Sequence, residues 1–223
     1  MKIDILTLFP NMFTCFLEES IIKRAIDKKQ VEINIINFRD FSTLNNHQVD
    51  DTPYGGGGGM VLRPEPLITA IESLKTEESK VILMCPQGIP YKQKKALTLK
   101  EEKHIILVCG HYEGFDERIR CFVDEEISIG DYILTGGEIP AMVIADSVIR
   151  LLDGVIKKES YEKESFQESL LDYPTYTKPP SFRGLKVPEI LLSGDHAKID
   201  AWRRQKQIET TSRKRSDLLK EAD

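Results

Sequence analysis

Cysteine is scarce: the four present, Cys15, Cys85, Cys109 and Cys121, include no pair at the spacing of a zinc or redox motif. Cys85 and Cys109 close apolar runs, so these thiols read as reduced core residues rather than as a disulfide framework. Positive charge is not in excess either. The formal net charge is −5 and the pI about 5.5, so no global field would hold the chain on nucleic acid or an anionic membrane. Such a partner has to be held by a local patch. Long apolar runs are also missing. The longest, Ile139 to Leu152, is interrupted by Asp146 and Arg150, and it is shorter than the roughly 20 residues of a membrane helix. The opening MKIDILTLFPNMF carries Asp4 and no small-residue cleavage site, which speaks against a signal peptide. A cytoplasmic protein with no membrane partner is the expectation.

Several chemistries lack their signatures. No His, Cys or carboxylate cluster has metal-ligand spacing, so no metal site is expected. No serine sits in a hydrolase elbow. No glycine is followed by lysine and a hydroxyl residue as in a P-loop, and Gly55 and Gly57 lack the third glycine of a dinucleotide fingerprint, because Met60 stands there. There are no internal repeats.

What is present is an ordinary globular balance, with 223 residues, 40% hydrophobic and 30% charged, enough for one large or two unequal domains. Lys2–Leu8 reads as a strand, residues 11–28 as one helix with Phe13, Phe16, Leu17, Ile21, Ala25 and Ile26 on a stripe, and Val31, Ile33 and Ile35 alternate as in a strand. Residues 40–63 read as a loop and Pro64–Lys75 as a helix with proline in its first turn. VILMCP (81–86) and HIILVCG (104–110) are buried-strand runs separated by a helical YKQKKALTLK; a strand near 122–129 and a buried helix over 139–152 follow. Strands alternating with helices give an α/β fold with a mainly parallel sheet covered on both faces. Ligands of such sheets collect beyond the carboxyl ends of the strands. Those ends carry Pro86-Gln87-Gly88, Gly110-His111-Tyr112-Glu113-Gly114 and Ile129-Gly130-Asp131.

From 155 to 180 the apolar period is lost in GVIKKESYEKESFQESLLDYPTYTKPP, which marks a linker. The expected domains are therefore 1–154, a linker at 155–180, and a small helical domain at 181–223, helical over 187–222 with Trp202 as its core anchor. Charge is uneven. Residues 112–138 hold eight acids against Arg118 and Arg120, net −6, whereas residues 198–223 hold eight bases against five acids, net +3. The basic tail suits phosphates, and a solvated helix face accounts for it equally well.

Three motifs stand out. Tyr54-Gly55-Gly56-Gly57-Gly58-Gly59-Met60 cannot be a regular element; it suits a loop that a ligand approaches closely, or a plain flexible linker. SIGDYILTGGEIPAM (128–142) sets Gly136 and Gly137 before a helix, as a ligand-facing backbone or a simple tight turn. VCGHYEGFDERI (108–119) is a strand end running into a glycine-bounded acidic turn.

Together with LMCPQG, ESFQESLLDYPTYTKP, MKIDILTLFP and LSGDHAKIDAWRRQKQ, these motifs resemble, in the same order along the chain, the bacterial tRNA (guanine-N1)-methyltransferases. The resemblance implies the trefoil-knotted SPOUT methyltransferase fold over 1–154, where composition and periodicity alone give an ordinary open sheet. It implies a homodimer with an active site shared between subunits, and methyl transfer from S-adenosylmethionine, leaving S-adenosylhomocysteine, to N1 of the guanosine immediately 3′ of the anticodon, which maintains the reading frame. Assistance by Mg2+ without a dedicated site is left open. Another SPOUT methyltransferase with a different target nucleotide, and a non-catalytic RNA-binding protein, are the competing readings.

By similarity, Glu164 is the general base and Arg150 the cation that takes up charge on O6; many relatives carry aspartate at the first position, and glutamate adds one methylene. Taken alone, Glu164 reads more readily as a solvated linker carboxylate beside Glu162 and Glu168, and Arg150 is open to a role as a helix-end cap. The cofactor pocket is expected from Leu83, Met84, Cys85, Pro86 and Gly88, from Gly110, Tyr112, Glu113 and Gly114, and from Ser128, Ile129, Gly130, Tyr132, Leu134, Gly136, Gly137 and Pro140. Asp172 is expected to meet the methionine ammonium across the subunit interface. His111 stands where relatives commonly have arginine. The tRNA anticodon stem-loop is expected on Gly57, Gly58, Gly59, Lys178, Arg183, Arg203, Arg204, Lys206, Arg213, Lys214 and Arg215, with the linker ordering over a flipped guanine.

Overall fold

The computed structural model describes residues 1–162 and 164–220. The chain divides into two compact units, Met1–Lys157 and Lys158–Asp223. The first contains β1 (Lys2–Thr7), α1 (Thr14–Glu18), α2 (Ser20–Asp27), β2 (Glu32–Asn37), β3 (Asp50–Asp51), β4 (Val61–Leu62), α3 (Pro64–Leu74), β5 (Ser79–Pro90), α4 (Gln93–Leu99), β6 (His104–Val108), β7 (Glu125–Ser128) and α5 (Glu138–Ile149).

The main sheet has five strands in the order β2-β1-β6-β5-β7, all parallel. This agrees with the α/β, mainly parallel reading. The central β6, HIILV, is buried at every position, as an unbroken apolar run requires when both faces are covered. Strand β2, at the end of this order, pairs with β1 and is half-buried along most of its length. On one face α3 packs with Leu6, Val81, Leu83, Ile106 and Val108 in a single core. The alternate residues Ile5, Ile82, Ile105 and Leu107 are also buried and point to the opposite face, where α5 lies among α2, α4 and β1.

At the amino edge of the sheet a polar network joins four strand starts. Asp4 is fully buried, which is tolerable only because its carboxylate is fully engaged. Its oxygens accept from Asn34 at 2.8 Å, from Lys2 at 2.9 Å and pair with His104 Nε2 at 2.9 Å, while His104 Nδ1 meets Ser79 Oγ at 2.7 Å. The opposite, carboxyl edge is left to glycine-rich loops.

Three expectations need correction. The single helix over 11–28 is a 3-10 turn, Pro10–Phe13, followed by α1 and α2, because Glu19 is extended and Ser20 has φ 56°. The break resets the phase, so Ile22 rather than Ile21 is buried beside Ala25. Within the expected loop 40–63, β3 and β4 form a short antiparallel ladder that carries the glycine run between them. Third, Trp202 is only half-buried, and the buried positions of the helix that carries it are Ile199 and Thr211.

The second unit comprises α6 (Lys158–Tyr161), a two-stranded ladder of β8 (Ser181–Phe182) and β9 (Leu185–Lys186), α7 (His196–Lys214) and α8 (Asp217–Lys220). Arg183 and Gly184 both have positive φ, 51° and 82°, as a two-residue turn of right-handed hairpin twist demands. Asp195 caps α7 by accepting from Lys198 N. Among the described residues of this unit, Tyr161, Leu170, Ile199, Thr211 and Leu218 are buried. Thr211 Oγ1 donates to Gln207 O at 2.7 Å and accepts from Leu171 N at 2.9 Å, so the segment before Asp172 is pinned to α7. Lys163 of the expected linker and residues 221–223 at the end of the expected helix and domain lie outside the described residues. Among the described residues no helix is long and apolar enough to cross a membrane.

Candidate active site

Strand β5 lies between β6 and β7, so the chain passes to one side of it and then to the other, and a crevice opens at the carboxyl ends of these three strands. A local irregularity shapes it. Met84 and Ile89 of β5 both pair with Ile127, so residues 85–88 bulge out of the ladder. Gly88 makes the bulge possible: a Cβ there would stand 2.4 Å from the Ile127 backbone nitrogen. The resulting cleft has a volume of about 540 Å3, within the range usual for small-molecule sites.

Its lining comes from three loops at the strand ends. Met84, Cys85 and Pro86 come from β5, Gly110, Tyr112, Glu113 and Gly114 from the turn after β6, and Ser128, Ile129, Gly130, Tyr132, Leu134, Gly136, Gly137 and Pro140 from the segment entering α5. Two expected residues are elsewhere. Leu83 is fully buried in the α3 core, because the strand alternation turns it inward. Gly88 lies against the backbone of β7. Sequence reasoning did not assign Gln87, His111, Phe115, Glu117, Arg120, Ile127, Ile133 and Thr135, which also line the cleft. For Gln87 and His111 the signal was their place at strand ends; for Arg120 there was none.

Arg120 organises the rim. Its guanidinium donates to Gln87 Oε1 at 2.7 Å and Glu117 Oε2 at 3.0 Å, pairs with Glu126, and reaches Cys85 Sγ at 3.7 Å. One planar fork therefore ties the 85–88 bulge to the turn before β7. The Glu126 carboxylate, foremost, raises the guanidinium's hold on its proton. Nearby, the Arg118 guanidinium holds the Asp116 carboxyl below its usual range. Burial, and secondarily the Glu138 charge, push the Cys109 thiol well up, so it is no nucleophile.

The glycine run is anchored at one end. Glu113 N donates to Met60 O at 3.0 Å and Leu62 N to Gly114 O at 2.9 Å. Gly59 rests on the Glu113 side chain, whereas Gly55, Gly56 and Gly58 have nothing within 4 Å of a Cβ. Gly57 and Gly59, with φ 130° and 80°, adopt conformations that glycine supplies.

Arg150 caps the end of α5, its N–H on Asp146 O. Glu164 and Asp172 belong to the second unit. Asp172 accepts from Tyr173 N at 2.7 Å, and its own N–H bonds Ser165 Oγ at 2.9 Å. Glu164 lines a cavity of about 280 Å3 with Glu168, Tyr173, Arg203 and Arg204. Of the expected RNA contacts, Arg203 stacks 5.0 Å over the Tyr173 ring and pairs with Asp200, Arg204 pairs with Glu168, and Lys206 with Glu209. Arg215 pairs with Asp217, and Arg183 lies 5.2 Å over Phe182. Lys178, Arg213 and Lys214 are exposed. Among the described residues no group of three or more His, Cys, Asp or Glu is gathered as a metal would need.

The first unit thus offers a small-molecule cleft at the carboxyl edge of a parallel sheet and the second a helix rich in basic residues, and comparison with known proteins finds a family for such a chain. The family described as "tRNA (Guanine-1)-methyltransferase TrmD" matches residues 1–221. The tRNA (guanine-N(1)-)-methyltransferase of Staphylococcus carnosus (strain TM300) is 55% identical over 222 residues, 98% of this chain and 91% of the relative. That of Staphylococcus aureus (strain JH9) is 54% identical with the same coverage. With a match over nearly its whole length, the chain belongs to the TrmD family of tRNA (guanine-N1)-methyltransferases, a SPOUT methyltransferase family.

Proposed function

We propose that the protein transfers the methyl group of S-adenosylmethionine to N1 of the guanosine immediately 3′ of the anticodon in tRNA, and so maintains the reading frame. The observation that carries the cofactor half is the cleft wall. Gly136 and Gly137 line it and leave no room for a Cβ, Gly137 lying on the main chain of Cys109 and Gly110, which brings two stretches of main chain together along a nucleoside-sized cleft, and among the described residues its one lysine or arginine is Arg120. S-adenosylmethionine, when bound, supplies an electrophilic methyl on a sulfonium.

The chain's own residues then have two tasks. Guanine N1 is protonated at neutral pH, so a base has to remove that proton as the bond forms, and Glu164 is assigned this role. Negative charge develops on O6 as the proton leaves. Arg150 is assigned to it, since a guanidinium keeps its charge and can fork across two acceptors. Asp172 is assigned to the cofactor's ammonium. Domain limits at 154 and 180, with residues 155–180 ordering over the flipped guanine, belong to the same proposal, as does the trefoil knot.

An exposed apolar surface supports an active site shared in a homodimer. Tyr132, Ile133, Ile139 and Val143 expose apolar surface beside the cleft, Ile133 to 80%, more than an isolated unit gains by leaving in water. The basic residues of α7 and its end, Arg203, Arg204, Lys206, Arg213, Lys214 and Arg215, are assigned to the anticodon stem-loop together with Gly57, Gly58, Gly59, Lys178 and Arg183. Four of these bases already hold local carboxylates, so RNA phosphates would replace those partners. The roles are tested by Glu164→Gln and Arg150→Ala. Each is expected to lower kcat by about 10²–10⁴-fold while S-adenosylmethionine still binds; unchanged kcat in either contradicts its assignment.

A further inference from the structure

Thr7 ends β1 fully buried, and Glu138 opens α5 with 2% of its surface exposed. A carboxylate this deep needs partners. The Thr7 hydroxyl donates to Glu138 Oε1 at 2.8 Å and accepts the Phe9 backbone N–H at 2.9 Å. One hydroxyl thus joins the exit of β1 to the first helical turn, where the exposed N–H groups also favour negative charge. The other oxygen, Oε2, faces Gly136: a Cβ on Gly136 would lie 2.3 Å from it and 2.7 Å from His111 Nδ1. Carboxylate and imidazole therefore confront each other across the side chain that glycine lacks.

His111 Nδ1 is buried and has no hydrogen-bond partner among the described residues. Its ring is wedged between Phe9, at 4.7 Å, and Tyr112, at 5.0 Å. Phe9 is the residue whose N–H sits on Thr7, so the contacts run in a circuit through Thr7, Glu138, Gly136, His111 and Phe9. Inside that circuit Gly137 N donates to Gly110 O at 2.8 Å, and Gly110, Gly136 and Gly137 form the cleft wall.

We infer that Thr7, Glu138 and His111 are positioning residues: Thr7 and Glu138 hold the Gly136-Gly137 backbone against Gly110, and His111 Nδ1–H closes onto Glu138 Oε2 when the adenosyl nucleoside fills the cleft. The unpartnered nitrogen is the reserve that binding satisfies. This rests on the S-adenosylmethionine reading given above. It touches neither the base nor the cation of the transfer step, so it acts on cofactor affinity and not on the chemistry.

The test is calorimetric titration with S-adenosylhomocysteine, beside steady-state methyl transfer, for Thr7→Ser, Thr7→Val, His111→Asn and His111→Phe. An Asn amide nitrogen reproduces Nδ1–H, whereas Phe keeps the ring and removes the donor. Thr7→Val and His111→Phe are expected to weaken binding roughly tenfold, the scale of one charge-assisted hydrogen bond, and to raise KM for S-adenosylmethionine far more than they lower kcat. Thr7→Ser and His111→Asn are expected to restore most of both. Should Thr7→Val fail to fold, the half-buried His111 pair decides alone. Wild-type affinity in His111→Phe, or equal losses in His111→Phe and His111→Asn, overturns the inference and leaves the methyltransferase reading standing. A wild-type protein that binds neither S-adenosyl compound takes down both.

Discussion

Gly137 lies so close on Cys109 that a Cβ added to it would stand 2.7 Å from the Cys109 Cα and equally close to Gly110 N. Its φ of −84° is open to any residue, so glycine is required there by space and not by backbone conformation. Both neighbouring atoms are main chain and cannot swing away. Gly137→Ala is expected to separate α5 from the end of β6, costing about 1–3 kcal/mol of stability and cofactor affinity with it. Denaturant unfolding and calorimetric titration check this; a variant with unchanged midpoint and Kd contradicts the packing argument.

Arg120→Lys should not substitute for the arginine at the cleft rim. An ammonium cannot span Gln87, Glu117 and Glu126 at once. Amide exchange over residues 85–89 is expected to accelerate, with weaker cofactor binding, while the amino-edge network at Asp4 is untouched. Unchanged exchange across the bulge would show that Arg120 does not hold it.

Asp124 gives a pH-dependent contribution to stability. Its carboxylate accepts the Val81 N–H at 2.7 Å and the Lys75 ammonium at 3.1 Å, and Asp124 N donates back to Val81 O. Burial pushes its pKa up, but these partners outweigh burial and hold it below the usual 3.8. A pKa lowered in the folded state means stabilisation that is present above the unfolded value and lost as pH falls through the folded one. The stability difference between wild type and Asp124→Asn is therefore expected to be largest near neutral pH and to shrink below about pH 4. A difference independent of pH contradicts the ion pair's role.

Thiol labelling separates the cysteines. Cys15 and Cys121 are exposed, whereas Cys109 is buried with its thiol pushed well up. Native-state alkylation near pH 8 is expected to mark Cys15 and Cys121 quickly and Cys109 only on unfolding. Early modification of Cys109 would contradict the closed packing beneath Gly137.

The sheet was legible in the sequence because its inner strands, VILMC and HIILV, are short unbroken apolar runs rich in β-branched residues, the pattern of strands covered on both faces. The break at Glu19 was not legible, since the apolar stripe continues through it. Nor was the bulge after Met84, which depends on Gly88 meeting the backbone of β7. Most glycine and strand-end positions of the cleft could be named in advance through family likeness. Arg120 and Glu138 could not, because each gains its meaning from partners distant in sequence, Gln87 and Thr7 respectively. Trp202 misled because size alone suggested a core anchor, while the buried positions of α7 are Ile199 and Thr211.

The central claim is tested most directly by transfer of labelled methyl from S-adenosylmethionine to an unmodified tRNA with guanosine 3′ of the anticodon, beside the same tRNA with adenosine there. Label on the guanosine tRNA alone, at N1 of that nucleotide, is the predicted result. Equal labelling of both tRNAs would mean another target nucleotide and would contradict the roles assigned to Glu164 and Arg150.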